Sequence, residues 1–210
     1  MVVSTFGHKK SIYIFLTGSR KTGLEVGGNK IWWNNLRPVH SLLYLLFAYN
    51  AIIKNNKADI VIAGGAESGI CEIGMGGFST MHALTTFEGD PSKASRPFDA
   101  NRDGFAPSEG AGIIILESEE HAINRGAAPL AEISGFGVTS DAFHLVQPHK
   151  EGLGATKAMK LAIEDAGLER KDIDYINAHG TSTPTNDRIE TLAIKNLFEE
   201  QAYNIPISST

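Results

Sequence analysis

Between Asp174 and Leu197 the spacing of apolar residues changes from about two to about 3.6 across one polar turn, AHGTSTPTND, which runs from Ala178 to Asp187. Ahead of the turn, Asp174 to Asn177 is short and apolar at alternate positions, which predicts a strand. Behind it a helix is expected to start near Asp187, with Ile189, Leu192, Ala193 and Leu197 on one face. A strand, a polar turn and an amphipathic helix in that order fit a layered α/β architecture, where loops at the carboxyl ends of strands converge on a crevice. His179 falls at that strand end, among the hydroxyls of Thr181, Ser182 and Thr183 and ahead of the Asp187 carboxylate. These residue types suit an acyl-transfer site. They suit equally a turn in which a histidine beside Gly180 satisfies its own hydrogen bonds.

The same alternation recurs along the chain. Ile60 to Ala63 is an apolar run ended by Gly64-Gly65, expected as a buried parallel strand with a tight exit. Gly112 to Glu117 reads as another strand, Leu130 to Ile133 leads into Gly135 and Gly137, and Pro206 to Ser209 begins one more. Ala155 to Ala166 predicts an amphipathic helix closed by Gly167 at its C′ position. Strands alternating with helices predict a mostly parallel sheet with helical cover. With 42% hydrophobic and 20% charged residues over 210, the chain has core for one domain or two small ones. Leu42 to Ile53 is apolar apart from Asn50, and reads as a buried helix, well short of the ~20 residues that span a bilayer. The net charge of −5, without a basic stripe, gives no reason to expect nucleic-acid binding.

Five strings, in this order and spacing, carry a resemblance to one family: ADIVIAGGAES from Ala58, GMGGFSTMHAL from Gly74, ASRPFDANRDGFAPSEGAGIIILE from Ala94, GFGVTSDAFH from Gly135, and AHGTSTPTND. Over residues 58–210 the chain resembles the type II, elongating β-ketoacyl-acyl-carrier-protein synthases. The resemblance implies a thiolase-like layered α/β/α/β/α architecture, here comprising the end of the first half (37–128) and the start of the second (129–210), after an unmatched segment 1–36. It implies decarboxylative Claisen condensation of acyl and malonyl thioesters in fatty-acid synthesis, with acyl carrier protein as partner and a homodimer or a complete synthase as the second. No bound cofactor is implied, since substrates ride on the phosphopantetheine of the carrier, and no metal.

Residue by residue, His179 matches the first of the family's two catalytic histidines, whose imidazole donates to the enolate oxyanion. Thr181 and Thr183 match threonines that offer hydroxyls to the phosphopantetheine arm, while Ile70 and Phe78 are candidates to line the acyl cavity or plain core. Asp187 and Glu190 share a helix face and are expected to support the site by holding its lysine and waters. That lysine and the second histidine would follow Thr210, so the two carboxylates are expected to be less well paired. Asp141 is placed near the site entrance, with His144 beside it there or at the surface.

The family's cysteine nucleophile falls at Val39, next to His40, and valine forms no thioester. The sole cysteine, Cys71, is expected to be a small packing residue, and GMGGF a packing segment, since it lacks the spacing and lysine of a phosphate loop. In RPFDANRDGF the alternating Arg96, Asp99, Arg102 and Asp103 predict a loop pinned by ion pairs and Asx turns. One thiol excludes an intrachain disulfide and points to a reducing compartment. A cytoplasmic protein is expected. Lys9 and Lys10 precede a short apolar patch, Ile12 to Leu16, that is shorter than the ~7–15 residues of a signal peptide and lacks its cleavage site. The basic, hydroxyl-bearing start, with only Glu25 acidic before residue 59, leaves a plastid or mitochondrial address as the alternative. The chain therefore reads as an internal piece of a synthase, incomplete in catalysis, or as a non-catalytic synthase-like partner.

Overall fold

The computed structural model describes residues 2–3, 12–17, 58–144 and 147–209. Val39, His40 and the helix expected over Leu42 to Ile53 lie outside the described residues. In chain order the elements are β1 (Val2–Val3), β2 (Ile12–Thr17), β3 (Ile60–Glu67), α1 (Glu72–Thr80), β4 (Gly110–Ser118), α2 (Glu119–Asn124), β5 (Glu132–Ile133), β6 (Gly135–Phe136), α3 (Leu153–Ala166), β7 (Ile176–Asn177), α4 (Pro184–Phe198) and β8 (Ile207–Ser208). They divide into two compact units. The first comprises Met1–Val3, Met75–Pro107 and Gly135–Thr210, and the second Ser4–Gly74 and Ser108–Ser134.

In the second unit the strand order is β3-β4-β2-β5, and every neighbouring pair is antiparallel. The parallel sheet expected from the alternation is not what these strands form, because an apolar run marks a strand without fixing its direction. Gly64-Gly65 lies inside β3 rather than ending it. Gly65 pairs with Gly112, and a Cβ on Gly64 would collide with the Gly112 carbonyl oxygen, so the glycines admit a close backbone approach. Nor is β3 buried throughout, since Ile62 is 72% exposed whereas Ala63 is covered. The apolar patch Ile12 to Leu16 lies in β2, bonded between β4 and β5.

β4 ends on a buried charge. Glu117 has 0% exposure, and its carboxylate takes a bidentate pair of bonds from Arg125, Nε at 2.5 Å and Nη2 at 2.6 Å, with His121 Nδ1 as a third partner. α2, capped by Ser118, places His121 one turn below Glu117, and Arg125 follows at its end.

The first unit has its core between α3 and α4. Met159, Ala162 and Ile163 from α3 meet Ala193, Ile194, Leu197 and Phe198 from α4, with Ile173, Ile176 and Ile205 closing the cluster. Each of the larger side chains, Met, Ile, Leu and Phe, contributes roughly 1.5–3 kcal/mol when fully buried. α3 begins two residues before the expected Ala155. It ends as expected at Gly167, whose φ of 69° lets its N–H and that of Leu168 reach the carbonyls of Glu164 and Ile163. α4 starts at Pro184, three residues ahead of Asp187, because Thr183 is the N-cap and Pro184 supplies the first helical φ. Of its expected apolar face, Ile189, Ala193 and Leu197 are buried and Leu192 is half-buried. β7 and β8 form a parallel pair, Ile176 beside Ile207, and β1 pairs antiparallel with β6.

The Arg125 bonds, working against burial and helped by His121, hold the Glu117 carboxyl at about 2 instead of its usual 4.5. A depressed folded value means that this contribution is whole above pH 4.5 and is lost as pH falls towards 2. Denaturant midpoints measured across that window should fall with pH, and Glu117→Gln should flatten the fall. An unaltered slope in that variant would remove Glu117 from the acid response.

Candidate functional site

Past the end of β7, one carboxylate grips two consecutive peptide groups. The backbone N–H of His179 donates to Glu190 Oε1 at 2.7 Å and that of Gly180 to Oε2 at 2.9 Å. Behind them, Ser209 Oγ lies 3.2 Å from the His179 carbonyl oxygen and 2.8 Å from that of Gly180. Gly180 has a φ of 45°, and a Cβ there would collide with the Ser209 side chain. The backbone of the turn is thus held from both sides. The His179 side chain is exposed, and its ring makes no hydrogen bond to a described residue.

The hydroxyls of Thr181 and Thr183 lie 2.8 Å apart. Thr183 Oγ1 also accepts the Asn186 N–H at 3.3 Å, which caps α4. One hydroxyl hydrogen is used within the pair. The other has no partner among the described residues and is free to donate outward. Between the two threonines, Ser182 adopts a φ of 64° and is fully buried, its Oγ accepting the Arg96 N–H at 3.1 Å.

The two carboxylates expected to wait for a lysine are already engaged. Glu190 holds the histidine turn, and Asn186 Nδ2 donates to it at 3.3 Å. Asp187, 1% exposed, accepts the Phe98 N–H at 2.9 Å and pairs with Arg102 Nε at 3.2 Å. The expectation of less well-paired carboxylates is therefore corrected. Where the resemblance implies a lysine, Asp187 takes a backbone donor and a guanidinium from residues 96–103, and Glu190 takes amides of the histidine turn and of Asn186.

That loop behaves partly as read. Arg96 pairs with Asp103 at 3.5 Å, and Asp99 Oδ1 accepts the Asn101 N–H at 2.7 Å in an Asx turn. Thr85 and Thr86, rather than Arg96, are the main cause of an Asp103 carboxyl held at about 2. Arg102 was grouped with these local pairs, yet it reaches Asp187, 17% exposed against 1%. Sequence reading missed Arg102, Phe98 and Ser209 as parts of the site. No short-range signal joins residues 29 to 89 positions apart.

Asp141 accepts the His149 N–H at 2.7 Å and lies against Gly154, shaping its own loop, while His144 is at the surface. GMGGF falls in α1, none of whose residues is fully buried. Ile70, in the second unit, is 53% exposed, and Phe78, in the first, is 38% exposed with its ring edge-on to Phe105 at 5.0 Å. Neither is plain core. Cys71 is exposed as well, against the packing role expected for it. Among the described residues no cluster of His, Cys, Asp or Glu is arranged to hold a metal ion, and no helix is long and apolar enough to cross a membrane.

The arrangement of elements belongs to the thiolase-like class of ketosynthase folds. A crystal structure of a beta-ketoacyl synthase from Burkholderia phymatum is 41% identical with a TM-score of 0.73, covering 80% of this chain and 40% of that one. A type II PKS acyl-carrier protein in complex with its ketosynthase bound to the hexaketide gives a TM-score of 0.76 at 38% identity, covering 80% of this chain and 41% of that one. The N-terminal domain of beta-ketoacyl synthases matches residues 41–122 and their C-terminal domain residues 130–210. The chain belongs to the β-ketoacyl synthase family. It is 48% identical over 159 residues to 3-oxoacyl-[acyl-carrier-protein] synthase 2 of Coxiella burnetii and 50% identical over 160 to that of Rhizobium meliloti. These matches take in 76% of this chain, which spans 38% of the length of either relative.

Glu190→Gln replaces one accepting oxygen with a donor that faces an N–H. It should cost about 1–3 kcal/mol and raise amide exchange at His179 and Gly180 selectively. Residue-resolved hydrogen exchange reads this, and unchanged protection at both amides would show that the grip is not what holds the turn.

Proposed function

We propose that the chain carries the imidazole side of a 3-oxoacyl-acyl-carrier-protein synthase site, acting in the decarboxylative Claisen condensation of fatty-acid elongation. The observation that supports this most is the contrast at His179, whose backbone is fixed by Glu190 and Ser209 while its ring is exposed and unbonded to described residues. A ring held this way is free to meet an incoming oxygen. On loss of CO2 a malonyl thioester becomes an enolate, and the imidazole N–H donates to the oxyanion. That charge develops only along the reaction path, so the contact lowers the barrier instead of merely tightening binding. The enolate carbon then bonds to the acyl thioester carbonyl and the thiolate departs.

The free hydroxyl of the Thr181–Thr183 pair donates to an amide carbonyl of the phosphopantetheine arm by which acyl carrier protein presents its substrate. Ile70 and Phe78, each with apolar surface exposed, are offered to the acyl chain. Asp141 sets the loop beside the arm. A second synthase chain, identical or complete, is the proposed partner besides the carrier, and the cytoplasm the proposed compartment.

The nucleophile has no counterpart at Val39, so this chain by itself is proposed to lack acyl transfer. Val39 also favours a second reading, a non-catalytic partner of a complete synthase. Co-purification with such a synthase supports that reading, and a monomer in its presence counts against it.

Incubated alone with acyl- and malonyl-acyl carrier protein, the chain should show no mass increase and no β-ketoacyl product. A thioester on Cys71 accompanied by turnover would overturn this. In NMR titrations pantetheine should shift the signals of Thr181 and Thr183, and Thr181→Val should weaken binding about tenfold, the loss of one hydrogen bond. Equal affinity in the variant would remove the hydroxyl pair from the reading.

A further inference from the structure

Arg102 is engaged in four directions from a side chain that is mostly covered: Nε pairs with the Asp187 carboxylate at 3.2 Å and donates to the Thr183 carbonyl at 3.3 Å, Nη2 donates to the Pro184 carbonyl at 3.0 Å, and Nη1 to the Asp99 carbonyl at 2.8 Å. Its place runs against simple helix electrostatics. A cation at the amino end of a helix opposes the dipole, and Thr183 already caps α4 through its own hydroxyl. The guanidinium therefore adds something other than capping. What it touches is the backbone of Thr183, whose hydroxyl forms the pair with Thr181.

The residue between those threonines is strained. Ser182, at φ 64°, is in the left-handed region that non-glycine residues enter only when their surroundings force them. Phe98, which donates to Asp187, has a φ of 64° as well. Bonds from residues 96–102 over-determine this knot, with Arg96 N–H on Ser182 Oγ, Phe98 N–H on Asp187, and Arg102 on Thr183, Pro184 and Asp187. Without the fork, the carbonyls of Thr183 and Pro184 lose the only donor that comes to them from outside α4 among the hydrogen bonds of the described residues.

We propose that Arg102, neutralised by Asp187, is a positioning residue that holds Ser182 left-handed and so keeps the Thr181–Thr183 hydroxyl pair oriented for a pantetheine arm. The inference rests on the pantetheine reading of that pair. Lysine cannot replace arginine in this role, because a single ammonium on a flexible stem cannot serve two carbonyls and a carboxylate in one plane.

The test is Arg102→Lys in the full chain, with Arg170→Lys as control. Arg170 pairs with Glu199 just past the far end of α4, so it reports the effect of losing a guanidinium elsewhere in the same unit. Pantetheine affinity and the one-bond Cα–Hα coupling of Ser182, which reports a positive φ, are read at a temperature where all variants are folded. Arg102→Lys should weaken pantetheine about tenfold and shift the Ser182 coupling, and Arg170→Lys should do neither. Wild-type affinity in Arg102→Lys, or weaker binding with an unmoved coupling, would overturn the proposal. If Arg102→Lys does not fold, Asp187→Asn, which retains an acceptor for the Phe98 N–H, answers the same question with the same two readings. A wild-type chain that ignores pantetheine would instead strike the hydroxyl-pair reading beneath, whereas the Ser182 coupling still decides whether Arg102 holds the turn.

Discussion

A carboxylate removed from water is costly by several kcal/mol unless donors surround it, and Asp187 is almost wholly covered. Beside the Asn186 amide, which donates at 3.2 Å, its partners are the Phe98 N–H and the paired Arg102 guanidinium, both from a loop more than eighty positions earlier in the chain. Burial of Asp187 and closure of that loop are therefore one event. Once the loop is down, Ser182 gains its bond from Arg96, Thr183 its bond from Arg102, and the first turn of α4 is fixed from outside as well as by its own cap. Glu190, one turn further along the same helix, can then reach back to the amides of His179 and Gly180. The geometry of the imidazole depends on a helix whose own placement depends on one buried acid.

The second unit uses the same device with different parts. Glu117 is fully buried and is met by Arg125 and His121, both within eight positions of it. A local pair of that kind fastens a helix to the strand it follows. The Asp187 pair, by contrast, fastens two distant stretches of chain, and for that reason it can organise a site instead of a single hairpin-sized contact.

Much of the local structure was legible in the sequence. The helix ending at Gly167, the buried face of α4 and the placing of His179 just past a strand all follow from periodicity and turn chemistry, which act over three or four residues. Strand direction was not legible, because an apolar run looks the same whichever way its neighbour runs, and Gly64-Gly65 read as an exit when its purpose is to let β3 and β4 approach. The start of α4 lies three residues ahead of the expected Asp187, because Thr183 is the cap and Pro184 the first helical residue. At the site, spacing correctly set Asp187 and Glu190 on one face but could not say what they accept. A carboxylate shows its charge in the sequence and not its donors. Arg102 escaped notice for the complementary reason, since nearby acids offered it a plausible local partner.

The bonds that fix the imidazole turn have a kinetic side. α4 closes its own hydrogen bonds over four residues and can form within microseconds, but the contacts from Arg96, Phe98 and Arg102 span 81 to 89 residues. Contacts of such separation carry the loop-closure entropy of the whole intervening segment and form slowly. During folding, then, the helix that carries Glu190 exists before the turn it must hold has been locked, and a chain emerging in order from its amino end has the Arg102 loop waiting for its acid. The bonds that lock the imidazole turn are thus non-local ones, added to a helix whose own turns close over four residues.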